Sequence, residues 1–149
     1  MTFKQILVAT DFSESADRAL DLAVEMAKKF DADLTLVHSW EVPYSYGDVG
    51  LVTMDFTTPM QEAARKQLAA TLVGLKQRFS NAKAELRTGS PWQEVLNAAT
   101  EAHADLIVLG THGRRGISRA LLGSVAEKVV RMAEVPVLTV HGTRDQAAR

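Results

Sequence analysis

Ile6-Leu7-Val8-Ala9-Thr10-Asp11-Phe12-Ser13 begins with four consecutive apolar residues and then turns polar. A half-buried strand alternates apolar with polar positions, so an unbroken apolar run marks a strand covered on both faces. Two further runs have this character, Leu34 to Val37, interrupted only by Thr35, and Leu106-Ile107-Val108-Leu109. They predict strands over about 3–9, 33–38 and 105–110, in the middle of a sheet. Ala82-Lys83-Ala84-Glu85-Leu86-Arg87 alternates apolar with charged residues, leaving one face wet, and Val135 to Val140 carries Pro136 near its start. Proline lacks the N–H that a ladder needs and is tolerated at a strand start or edge, so these two runs predict edge strands.

Between the runs the period changes to that of helices. Ala16, Ala19, Leu20, Ala23, Ala27 and Phe30 fall on one face, with Asp17, Arg18, Asp21, Glu25 and Lys28 on the other. Thr58-Pro59-Met60-Gln61 and Ser90-Pro91-Trp92-Gln93 each read as a hydroxyl N-cap, proline at the first helical position and a capping-box glutamine, so helices are expected to start near 59 and 91. Val125, Val129 and Ala133 write a last helix over about 124–133. Glu41 to Thr57, with Pro43, Gly47 and Gly50, has no clean period and reads as a loop.

Strands alternating with helices imply a parallel sheet with helices on its faces. Right-handed crossovers and three central strands give the order 3-2-1-4-5. The expected fold is therefore α/β, a three-layer α/β/α arrangement around an open parallel five-stranded sheet. The winding reverses between strands 1 and 4, and ligands of open α/β sheets bind outside the carboxyl ends of the strands at that reversal. Attention therefore falls on Thr10-Asp11-Phe12-Ser13 and on Gly110 to Ser124.

Composition narrows the function. A chain of 149 residues has room for one domain, expected over 1–141 with a polar tail over 142–149. With 17 Lys+Arg against 18 Asp+Glu it lacks the basic excess that phosphate backbones attract, so nucleic acid is not an expected partner. No cysteine is present, which excludes disulfides, thiol nucleophiles and cysteine-ligated metals. No run approaches the roughly 20 apolar residues that span a bilayer, so no membrane insertion is expected. Met1-Thr2-Phe3-Lys4-Gln5 leads straight into the first strand without an apolar leader, so the expected location is the cytoplasm.

The informative segment is Gly110-Thr111-His112-Gly113-Arg114-Arg115-Gly116-Ile117-Ser118-Arg119-Ala120-Leu121-Leu122-Gly123-Ser124. Glycines let backbone N–H groups approach an anion, and a following helix offers free N–H groups at Ser124 and Val125, so phosphate fits. Turn glycines and a Ser124/Glu127 capping box explain the same residues structurally. Neither a Walker A lysine nor the Gly-x-Gly-x-x-Gly dinucleotide pattern is present.

Gly110-x2-Gly113-x9-Gly123-Ser124 resembles the nucleotide-binding signature of the ATP-binding branch of the universal stress protein family. The likeness extends over nearly the whole chain. It includes Ile6 to Ser13, the Leu36-Val37-His38 strand end, Ala104 to Gly110 and Val135-Pro136-Val137-Leu138-Thr139-Val140. It implies a Rossmann-like fold of the adenine nucleotide alpha hydrolase type, with ATP as the bound nucleotide. By that resemblance Asp11 holds the ribose, the backbone around Ala9, Thr10 and Ser39 holds adenine, and Gly110, Gly113, Gly123, Ser124 and Val125 wrap the phosphates. The resemblance also implies a homodimer through the last strand, Val135 to Val140, an uncharged edge of the kind that tends to be covered.

Asp11 makes independent sense as a ribose ligand, because a carboxylate accepts from two vicinal hydroxyls and repels phosphate, although it can equally cap the first helix with Ser13. Arg114, Arg115 and Arg119 could neutralise phosphate or simply be solvated. His112 lies in the loop without a visible carboxylate partner, and His38, His103 and His141 are too scattered in sequence for a metal site. Any Mg2+ is expected to arrive with the triphosphate, and no residue is assigned a catalytic role. The expected function is a nucleotide-dependent regulatory or stress-response module with an unidentified protein partner. The alternative is a slow ATPase or phosphotransferase using the same site through Asp11, His112 or Ser124.

Overall fold

The computed structural model describes residues 1–42, 57–112 and 121–142. Its elements run β1 (Gln5–Ala9), α1 (Glu14–Phe30), β2 (Asp33–Trp40), α2 (Thr57–Arg78), β3 (Lys83–Thr88), α3 (Pro91–Glu101), β4 (Leu106–Gly110), α4 (Ser124–Met132) and β5 (Val137–Val140). The strands form one sheet in the order β3-β2-β1-β4-β5, all pairs parallel. Most of the loop read between Glu41 and Thr57, and the end of the polar tail, lie outside the described residues.

Side chains alternate across the sheet and build two cores. Ile6, Val8, Leu34, Leu36, Leu106 and Val108 pack with the apolar faces of α1 and α2. Leu7, Val37, Ile107 and Leu109 pack with Val95, Ala98, Ala126 and Val129 of α3 and α4 on the other side. That arrangement is the expected three layers. The runs that are apolar at successive positions are the doubly covered strands, while β3 and β5 are half-buried edges.

The helix starts differ from the sequence reading. Thr58 lies inside α2, which already includes Thr57, so it is not the cap. Ser90 stands at the N-cap of α3 without a side-chain cap bond, and the expected capping box does not form. Its neighbour Pro91 leaves one fewer N–H to satisfy, which weakens the demand for a cap. Gly123, not Ser124, is the N-cap of α4, and Glu127 instead pairs with Arg131 one turn on. At α1 the Ser13 part of the reading holds, since Ser13 accepts at its Oγ from the Ala16 N–H, whereas Asp11 accepts from the Ser13 N–H ahead of the helix.

The β3 edge is tied to the helix layer by one arginine. Arg87 reaches Glu94 at 2.8 Å and Glu101 at 2.9 Å on α3, and Glu85 on its own strand at 3.2 Å. Its side chain is 17% exposed, so the cluster is only partly screened by water. Hydrogen bonding to Arg87, then the charge of Arg87, hold the Glu101 carboxyl below its ordinary range. A carboxyl lowered in the folded state adds stability above the unfolded value, about 4.3, and that share is lost as pH falls through the folded one. Arg87→Met is expected to lower unfolding stability by about 1–3 kcal/mol at neutral pH, because it strands the half-buried Glu94. In urea unfolding, the gap between wild type and variant should narrow as pH is lowered from about 6 to about 3.

Candidate nucleotide site

The register shows why a cavity opens at the carboxyl end of the sheet. β1 stays paired with β2 as far as Ala9↔Val37, and β4 with β5 as far as Gly110↔Val140, but the β1–β4 register ends at Val8↔Val108. Beyond that point the two central strands diverge, at the reversal of winding. The resulting cavity, about 270 Å³, is lined by Ala9, Thr10, Asp11, Ser13, Val37, Ser39, Pro91, Val95, Leu109, Gly110, Thr111, His112, Gly123, Ser124, Val125 and Ala126. Ala9, Thr10, Asp11, Ser39, Gly110, Gly123, Ser124 and Val125 thus come together from four separate segments. Gly113 lies outside the described residues, as do Arg114, Arg115 and Arg119.

The β1–α1 turn forms one side. Phe12 adopts φ 63°, the left-handed region, and the turn around it is over-determined. Thr10 Oγ1 accepts from the Phe12 N–H at 3.0 Å, and Asp11 Oδ1 accepts from the Ser13 N–H at 3.0 Å. The Thr10 N–H donates to the Val37 carbonyl at 2.9 Å, and His38 Nδ1 donates to the Thr10 carbonyl at 2.8 Å. Phe12 stacks against the His38 ring, with centroids 4.5 Å apart, so His38 is a packing residue of the strand end. Thr10 therefore shapes the wall with its own N–H already engaged. The Ser39 hydroxyl is likewise spent, donating to the Gly89 carbonyl at 2.9 Å.

The β4–α4 side supplies the opposite polarity. By helix geometry the first amides of α4, at Ser124, Val125 and Ala126, have no acceptor within the helix, and all three residues line the cavity. The Gly123 N–H is not among the donors on offer, because it is given to the Thr111 carbonyl at 2.6 Å. Close to Asp11, α1 carries further acidic groups outside the cavity lining. Partial burial, then Asp21, Asp11 and Glu14, raise the carboxyl of Asp17 above its ordinary value. The cavity thus combines one carboxylate, Asp11, with the N-terminal residues of α4 and the apolar Val37, Pro91, Val95 and Leu109. A flat ring system, hydroxyls and an anionic tail match that set of surfaces, the tail suiting the start of α4.

Thr111 and His141 are what the sequence reading missed. Thr111 is 1% exposed, and its Oγ1 lies 2.9 Å from His112 Nδ1 and 3.2 Å from His141 Nδ1. Two histidines 29 positions apart meet because the ends of β4 and β5 are hydrogen-bond neighbours, with Thr111 N–H donating to the Val140 carbonyl. No linear motif carries that signal. Among the described residues no three His, Asp or Glu side chains gather as a metal site.

The glycines act here through space. A Cβ on Gly110 would collide with Ser15 Oγ and stand 2.8 Å from Ser15 C and 2.9 Å from Ala16 N, all in the first turn of α1. A Cβ on Gly123 would stand 2.8 Å from the Thr111 carbonyl oxygen, with its next neighbour at 3.6 Å. Both substitutions therefore perturb backbone packing before any ligand is considered. Gly110→Ala is expected to destabilise by about 1–3 kcal/mol in thermal unfolding, and by more than Gly123→Ala, because two backbone atoms in place of one must yield.

A model of the universal stress protein family matches residues 2–141. A universal stress protein of Methanocaldococcus jannaschii is 35% identical over 144 residues, covering 93% of this chain and 82% of that one. Among solved structures, a universal stress protein in complex with cAMP superposes with a TM-score of 0.73 at 26% identity, covering 96% of this chain and all of that one. The universal stress protein from Archaeoglobus fulgidus in complex with dAMP gives a TM-score of 0.66 at 26% identity, covering 94% and 99%. On the combined sequence and fold evidence, the chain belongs to the universal stress protein family.

Proposed function

We propose that the chain binds an adenine nucleotide in this cavity, with ATP as its ligand, and serves as a regulatory module whose occupancy alters partner binding. The observation that carries the reading is that Asp11, the amide end of α4 and the apolar Val37, Pro91, Val95 and Leu109 line one cavity. It suits a ribose at Asp11, a base along the apolar wall and phosphates at Ser124 and Val125. The cAMP and dAMP complexes of the two structural neighbours support an adenine ligand. The resemblance of Gly110-x2-Gly113-x9-Gly123-Ser124 to the signature of the family's ATP-binding branch supports a triphosphate, with Mg2+ accompanying it through phosphate oxygens and water. Binding without efficient turnover is the reading for a site to which no acceptor or water-positioning residue is assigned among the described residues, and time-resolved ADP release at enzyme-like rates would overturn it. We place the protein in the cytoplasm.

Mass spectrometry of nucleotide co-purifying with the protein is the direct test, with ATP expected. The role of Asp11 is separable by calorimetry. Asp11→Asn keeps an oxygen for the Ser13 N–H and so spares the turn. It should weaken ATP by on the order of 1–3 kcal/mol and leave inorganic triphosphate nearly unchanged, since only the ribose contact is lost. Equal losses for both ligands would remove Asp11 from the ribose.

The proposal includes a homodimer through β5. Ile107 N–H donates to the Pro136 carbonyl and Thr111 N–H to that of Val140, so residues 136, 138 and 140 face β4. By strand alternation the N–H and C=O of Val137 and Thr139 face the open edge, on a strand without charge from Val135 to Val140. Leu138 packs into the core beside α1 and is a poor probe of the edge. Thr139→Pro removes an outward donor only, and is expected to convert a dimer to a monomer in light scattering with the circular dichroism spectrum retained. A wild-type protein already monomeric at micromolar concentration would refute the dimer.

A further inference from the structure

We propose that the side chains of Ser39 and Arg87 are positioning residues for ligand binding, tethering the entry of α3 so that Pro91 and Val95 stand as a fixed wall of the cavity. The inference rests on the reading of the cavity as a nucleotide site with the base along its apolar wall.

Pro91 and Val95 lie one turn apart on α3, and both line the cavity. The start of α3 does little to fix itself, since Ser90 makes no side-chain cap bond and Pro91 brings no N–H. It is held from the sheet instead. Both backbone groups of Gly89 are taken by the end of β2, the N–H by the Trp40 carbonyl at 3.0 Å and the carbonyl by the Ser39 hydroxyl at 2.9 Å. Gly89 turns the chain at φ 141°, a region that favours glycine, and the Glu94 side chain lies against the turn. From β3, Arg87 Nε donates to that same Glu94 at 2.8 Å. The two tethers, at positions 89 and 94, bracket Pro91 in the chain.

Ser39 itself lines the cavity, with its one hydroxyl hydrogen committed to Gly89. Loss of that donor leaves the Gly89 carbonyl short of a partner and lets the wall draw back. An apolar wall holds a flat base by contact alone, and a gap of about 0.5–1 Å already forfeits about a quarter to a half of the contact energy. The other parts of the cavity are fixed independently of Gly89. Asp11 is held by the Ser13 N–H, and the start of α4 by the Thr111 carbonyl. Loosening α3 therefore acts on the base and spares the anionic tail.

Hydrogen exchange and calorimetry test the assignment together. Ser39→Ala keeps the β2 backbone and removes only the hydroxyl. In the ligand-free protein it should speed amide exchange at Glu94, Val95 and Leu96 by about threefold or more, with exchange in α1 unchanged. It should weaken adenosine by about threefold to tenfold and change inorganic triphosphate by less than about twofold. Arg87→Met reaches the same helix from outside the cavity and should shift both readouts in the same direction. Weaker adenosine with unchanged exchange in α3 would mean that Ser39 touches the ligand directly, and would overturn the positioning role. Faster exchange with unchanged adenosine would leave the tether a matter of folding alone, and would overturn it as well. An Arg87→Met protein that matches the wild type removes the arginine from the assignment, and where that variant does not fold Ser39→Ala decides. If the wild-type protein binds neither adenosine nor ATP, the nucleotide reading falls with the proposal. If it binds both and Ser39→Ala is silent, only the tether falls.

Discussion

Much of the upper end of the molecule hangs on the approach of Gly110 to the first turn of α1, where no Cβ fits. Because β4 ends flush against Ser15 and Ala16, the segment that follows can hand the His112 carbonyl to the Ser15 hydroxyl. Thr111 is then turned inward between β5 and α4, receiving the Gly123 amide on its carbonyl and giving its own N–H to Val140. Through that single residue the start of α4, the end of β5 and the end of β4 share one anchor. The start of α4 is held at the cavity by this anchor, and not merely by the sequence of α4 itself.

The cavity is built from polar groups that are already spoken for and a smaller set that is not. Thr10, Ser39 and Gly123 use N–H or hydroxyl donors on neighbouring backbone, which stiffens the walls without leaving those groups for a ligand. The N-terminal amides of α4 remain as donors, in the same cavity as the Asp11 carboxylate. Preorganisation of this kind reduces the ordering cost of binding and fixes the direction in which a charged ligand lies.

The two sheet edges are treated in opposite ways. β3 carries Lys83, Glu85 and Arg87, and Arg87 is clamped to α3, so another strand would have to disturb a charged cluster to pair there. β5 carries no charge and shows two outward backbone pairs. The asymmetry closes the β3 edge and leaves the backbone groups of β5 open, which is the basis of the proposed dimer.

The sequence alone determined the architecture, because strand and helix periods and the apolar runs at Ile6, Leu34 and Leu106 are local signals that burial on both faces enforces. It also pointed to Asp11 and to Gly110 through Ser124, since a topological switch and a glycine-rich strand-to-helix segment are both readable in one dimension. Helix starts were less legible. At Thr58, Ser90 and Ser124 a capping pattern was present, but packing and the preceding backbone decided where the helix began. The pairing of His112 with His141 was decided wholly by tertiary structure, as was the commitment of the Thr10 and Gly123 amides. Each depends on which strands are neighbours and how far their ladders extend, and a linear chain does not display the spatial distance between segments separated in sequence.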